Sequence, residues 1–103
     1  MQPLDKYLIE QAIPRRQQIE INYIPNTKPF GVVYSLRYIV PIELFSKNGK
    51  KYLFAYHMSG GSLSGAGSGF RLYLQDNISN VRLTNVTNVR KKELMSFKNL
   101  VSI

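Results

Sequence analysis

Residues Tyr34–His57, YSLRYIVPIELFSKNGKKYLFAYH, decide the fold. Two apolar runs with period-two alternation flank Ser46-Lys47-Asn48-Gly49. Asn-Gly takes the positive φ that a tight hairpin turn needs, so the stretch reads as two long antiparallel strands. In Tyr34–Phe45, Leu36, Tyr38, Val40, Ile42 and Leu44 form one apolar row. Arg37, Ile39, Pro41 and Glu43 form the other. Pro41 has no N–H to give to a ladder, so this strand should lie at an edge or be bulged there. In Lys51–His57, Tyr52, Phe54 and Tyr56 share a face and read as core, opposite Lys51, Leu53, Ala55 and His57.

The same alternation continues on both sides. Gln18–Ile24 sets Ile19, Ile21 and Tyr23 against Glu20 and Asn22. Phe70–Gln75 sets Phe70, Leu72 and Leu74 against Arg71, Tyr73 and Gln75, and Ile78–Val86 is a last strand. Ahead of the strands, Leu4, Tyr7, Leu8 and Ala12 recur at helical spacing. Pro3 suits a first helical turn, Asp5 complements the positive dipole end, and Pro14 stops the helix, giving helix 3–13. Behind the strands, Leu94, Phe97 and Val101 predict a helix over about 90–101, with Arg90, Lys91 and Lys92 crowding its first turn. Pro25–Pro29 with Gly31 reads as a turn, and Ser59–Gly69, holding five of the seven glycines, as a mobile loop. The expectation is a single domain over 1–103, mainly β. Five short antiparallel strands over about 18–86 would curl into a small barrel, which removes exposed edges.

Composition narrows the function. Lys and Arg number 14 against 6 Asp and Glu, for a net charge of +8. An excess this large makes polyanions the default partners: single-stranded DNA or RNA, a nucleotide, or an acidic protein surface. Without Cys, disulfides, thiolate metal sites and thiol nucleophiles are excluded. No apolar run reaches a membrane span and no signal peptide opens the chain, so it reads as soluble and cytoplasmic.

The order of these segments resembles the WYL domain, a small Sm-like or SH3-like β-barrel of bacterial and phage proteins. Ala12-Ile13, Arg15-Arg16 and Ile19–Tyr23 look like the family's opening helix and first strand. Arg37 to Pro41, leading into Ile42-Glu43-Leu44, looks like its Arg-spacer-Pro strand. Lys51–His57 looks like the strand that names the family, with Lys51 in place of the Trp. Arg71–Ile78 looks like its Arg-x-Phe-x-Leu-Asp-Arg-Ile strand, with Asn77 where Arg is frequent. The resemblance covers about Ala12 to Leu83. It implies a regulatory module, active in transcription or a related process, that senses nucleic-acid strands or nucleotide-like ligands through a basic cluster. The usual helix-turn-helix companion is missing, so the chain reads as a free-standing member, an accessory protein or a fragment.

Arg37 and Arg71 are the leading candidates for such a cluster. Strand parity puts each opposite its strand's main apolar row, on a face open to solvent or to a groove. Two converging guanidiniums bind phosphate bidentately. The alternative is a pair of ordinary surface arginines; if they form an anion cradle, removing one should leave stability nearly unchanged. Tyr73 shares the Arg71 face and is the better base-stacking candidate. His57, Lys51 and Asn77 complete the set by their places in the family pattern. A metal is not expected, because His57 has no second His and no Cys beside it. Gly65–Gly69 lacks the Lys and the following helix of a phosphate loop. No catalytic constellation is visible, and neither enzyme activity nor a cofactor is expected. The leading expectation is a non-enzymatic binding module for single-stranded nucleic acid or a nucleotide-like anion. The rival is a protein-interaction module docking on a larger complex, and exposed strand edges leave room for homo-oligomers.

Overall fold

A computed structural model of the chain describes residues 1–24, 35–60 and 68–89. One helix, α1 (Pro3–Ala12), precedes five strands: β1 (Ile19–Tyr23), β2 (Ser35–Lys47), β3 (Lys50–Gly60), β4 (Gly69–Leu74) and β5 (Ile78–Leu83). A 3-10 turn, Gln75–Asn77, links β4 to β5. The turn predicted at Pro25–Gly31, the glycine-rich stretch 61–67 and the predicted C-terminal helix lie outside the described residues. Ser59, Gly60 and Gly69 belong to strands, so the connection is shorter than the Ser59–Gly69 loop expected from the sequence.

All strand pairs are antiparallel, in the order β4-β3-β2-β1-β5. Asn48 (φ 54) and Gly49 (φ 77) make the β2–β3 turn in the left-handed conformations their sequence favours. The ladder is open: β4 and β5 are its two edges, so a closed barrel is not what these strands form. The sheet nevertheless curls. Its edge strands are joined by only three residues. Strands three places apart in a flat sheet lie about 14 Å apart. Yet the rings of Tyr23 on β1 and Tyr73 on β4 have centroids 4.9 Å apart, and the Leu74 N–H donates to the Tyr23 hydroxyl at 3.0 Å.

The inner face of this curl holds the core. Ile19 and Ile21 from β1, Ile39 from β2, Leu53 and Ala55 from β3 and Ile78 from β5 are buried, and Ile9 and Ala12 of α1 close one side. Burying each Ile or Leu stabilises by about 1.5–3 kcal/mol. Asp5 fixes the helix in place, for its carboxylate accepts the Val81 N–H at 3.1 Å.

The faces of β2, β3 and β4 differ from the expected ones. Tyr52, Phe54 and Tyr56 are not core: the buried row of β3 is Leu53, Ala55 and His57. Likewise Leu72 on β4 is 57% exposed while Tyr73 is 1% exposed, and on β2 Leu36 is exposed while Arg37 and Ile39 are buried. Rings on the outer face pack along the surface instead, Phe45 on Tyr52 at 5.5 Å and Phe54 on Phe70 at 5.6 Å. Pro41 sits in a central strand, not an edge. The expected bulge is there: Ile42 is extra between the pairs Pro41–Ala55 and Glu43–Phe54. That insertion turns Leu44 onto the core side with Ile39. A second shift leaves Met58 extra on β3 and brings Gly60 opposite Arg37.

Candidate functional site

Because the arginine-bearing face is the inner face, Arg37 and Arg71 point into the curl and not to open solvent. Arg37, next to Ile39 on β2, is 5% exposed. Its guanidinium lies over two aromatic faces, 5.0 Å from the Tyr23 centroid and 5.7 Å from that of Tyr73. A cation on a ring face gains more when desolvated, up to about 2 kcal/mol. Arg37 is therefore packed as a core residue, and the exposure on which the expectation of unchanged stability rested does not hold for it.

Tyr73 is the centre of the group. Its hydroxyl lies 3.1 Å from His57 Nδ1 and accepts a hydrogen bond from Arg37. Burial pushes its phenol above the ordinary value of 10.0, while the nearby charges of Arg37 and Arg71 oppose that rise. Both guanidiniums thus act on one hydroxyl although they come from β2 and β4. Arg71 is partly exposed and is the member a ligand reaches first. Gly69 shares its parity and stands opposite His57; among the described residues a Cβ there would meet nothing within 4 Å. The inner face is therefore roomy at the end of the curl where Arg71 is accessible.

The candidates divide between two places. Arg37, Arg71, Tyr73 and His57 come together in the curl. Lys51 and Asn77 do not join them there. With Gly49, Lys50, Leu74 and Asp76 they line an open crevice of about 420 Å3 between the β2–β3 turn and the 3-10 turn. Tyr73 cannot offer its face to an incoming base as expected, being 1% exposed and already packed against Arg37 and the Tyr23 ring. Tyr23 is the residue sequence reasoning missed. Its only signal was its parity with Ile19 and Ile21, and nothing local shows that the curl carries it to Tyr73. Among the described residues no cluster of His, Asp and Glu could hold a metal, and no helix is long and apolar enough to cross a membrane.

A family model for the WYL domain matches residues 7–83, from the middle of α1 to the end of β5. The chain belongs to the WYL domain family. All five strands and the curl with its cluster lie inside the matched region of this WYL domain. No curated protein and no solved structure matches the chain. WYL domains are commonly regulatory domains that sense ligands or nucleic acids.

Proposed function

We propose that this WYL domain is a non-enzymatic regulatory module that binds single-stranded nucleic acid or a nucleotide-like anion at the Arg37–Arg71 cluster. The observation that carries the reading is the convergence of two guanidiniums from different strands on the buried Tyr73 hydroxyl. Buried arginines are rare, because desolvating a charge is costly, and an anion offsets that cost. Arg71 makes the first contact, and Arg37, braced between Tyr23 and Tyr73, supplies the second charge at a fixed position. The net charge of +8 draws polyanions toward the site from a distance. In this reading the curled sheet is a variant of the Sm/SH3-like barrel whose open seam, between β4 and β5, gives access to the inner face. The setting is transcriptional or related regulation in a bacterium or phage, in the cytoplasm.

Equilibrium binding of a five-residue oligothymidylate at low salt tests this. Arg71→Ala should weaken binding by about 1–3 kcal/mol, the size of a lost charge-assisted hydrogen bond. Arg71→Lys should restore only part of it, since an ammonium lacks the planar fork. If the wild type binds neither oligonucleotide nor nucleotide at low salt, the reading fails. A protein-docking role then takes its place, for which the exposed Leu72 and Leu36 on the outer face are the supporting observation.

A further inference from the structure

His57 is 2% exposed on β3, too enclosed to meet a strand in solution directly. Its Nδ1 faces the Tyr73 hydroxyl at 3.1 Å. That hydroxyl already accepts from Arg37, which can only donate. Its own proton is left to go elsewhere, and His57 Nδ1 is within reach to take it. An imidazole accepting at Nδ1 is neutral and carries its proton on Nε2.

Among the described residues, Arg37 from β2, Arg71 from β4 and Tyr23 from β1 are ionisable groups acting on the same Tyr73 hydroxyl that His57 meets. Its ladder partners, Ile39 and Gly69, bring no charge. Protonating His57 in the empty site would add a third positive charge beside two guanidiniums, in surroundings where Coulomb energies are large. An anion against the arginines reverses that balance. It also gives the phenolic proton a better acceptor than the imidazole.

We propose that His57 is a proton-linked positioning residue of this site: when an anion settles against Arg37 and Arg71, His57 takes a proton from solvent. Its Nδ1–H then donates to the Tyr73 oxygen, and the phenolic proton turns to the anion. One proton enters, one hydrogen bond reverses, and the ligand gains the Tyr73 hydroxyl as a donor. The proposal rests on the anion-binding reading above. By reciprocity, whatever anion binding does to His57 protonation, protonation does to anion affinity.

The test uses the intact chain and the five-residue oligothymidylate with hydroxyl ends. Neither thymine nor an internal phosphodiester changes charge between pH 5.5 and 8. His57 is the chain's one histidine, so its ring signals are unambiguous. Long-range nitrogen–proton NMR of the free protein should find the proton on Nε2; a proton on Nδ1 would overturn the proposal. Saturating oligothymidylate should move the His57 titration midpoint upward. Affinity should tighten about three- to tenfold from pH 8 to pH 5.5, as expected for one linked proton. His57→Gln accepts from Tyr73 through its amide oxygen but never charges. It should flatten the profile to the slope left by the Met1 amino group, and the NMR titration of the wild type decides alone if this variant does not fold. Binding that is equally tight at both pH values, with an unmoved His57 midpoint, overturns the proposal while the anion reading stands. Absence of binding at every pH at low salt overturns both.

Discussion

The curl and the crevice each hold residues that the sequence singles out, but they enclose them differently. In the curl, Arg37, His57 and Tyr73 are 5%, 2% and 1% exposed. In the crevice, Lys50, Lys51 and Asp76 stand in solvent. A solvated charge contributes little to folding and acts on a ligand through a screened field. A buried one is held by the atoms that also make the core, so folding and binding draw on the same contacts. The two places therefore answer to different experiments. In the curl, stability and affinity must be separated by preserving volume. In the crevice, affinity and salt dependence are read directly.

The largest effect should follow Arg37→Ala. It deletes a side chain packed against two rings and leaves a cavity, at a cost of about 2–4 kcal/mol measured by chemical denaturation. A loss below about 0.5 kcal/mol would place Arg37 with the solvated crevice lysines. Arg37→Met separates charge from packing. Met fills a similar volume without charge, and replacing a buried ion by a well-packed apolar chain is frequently neutral or stabilising. The expected outcome is a thermal midpoint at or above that of the wild type, together with lost oligothymidylate binding. Stability lost as in the Ala variant would mark Arg37 as a structural cation.

Tyr73→Phe should have an intermediate effect, about 1–2 kcal/mol, because it removes one buried hydroxyl from a bonded chain of Arg37, Tyr73 and His57. It carries a pH signature. The folded protein holds the Tyr73 proton more tightly than the unfolded chain does. That contribution is fully present below the ordinary phenol value of 10.0 and is lost as pH rises through the higher folded value. Denaturation midpoints should therefore fall less steeply above pH 10 in Tyr73→Phe than in the wild type. Identical alkaline slopes would mean that Tyr73 is not enclosed as described.

Strand spans and the hairpin were legible in the sequence because alternation, Asn48-Gly49 and Pro14 are local signals. The faces were not. On β3 and β4 the row richer in large apolar side chains faces outward, so hydrophobicity alone names the wrong side. Tyr52, Phe54 and Tyr56 outweigh Leu53, Ala55 and His57 in ring count, yet the smaller row fits inside a tight curl. On β2 the extra Ile42 breaks the parity on which the apolar row Leu36–Leu44 depended. The pairing of Arg37 and Arg71 came from the resemblance. The burial of Arg37, and the part of Tyr23, depend on the curl that brings β1 to β4, which no period in the sequence records.

The smallest effects belong to the crevice, where two substitutions of opposite sign make a test. Lys51→Ala removes a positive charge and Asn77→Arg adds one, on the two sides of the same opening. Lys51 is exposed, and at Asn77 it is the backbone carbonyl that accepts the Ile24 N–H, at 3.1 Å, so that bond survives the change of side chain. Stability should stay within about 0.5 kcal/mol for Lys51→Ala, whose side chain stands in solvent. If the curl is the binding site, oligothymidylate affinity should change only modestly, weaker for Lys51→Ala and tighter for Asn77→Arg. The slope of log affinity against log salt should shift by about one at most, the mark of a non-specific phosphate contact. A Lys51→Ala loss as large as that of Arg71→Ala would move the site to the crevice. The two arginines would then serve the fold, with Tyr23 and Tyr73 as their packing partners.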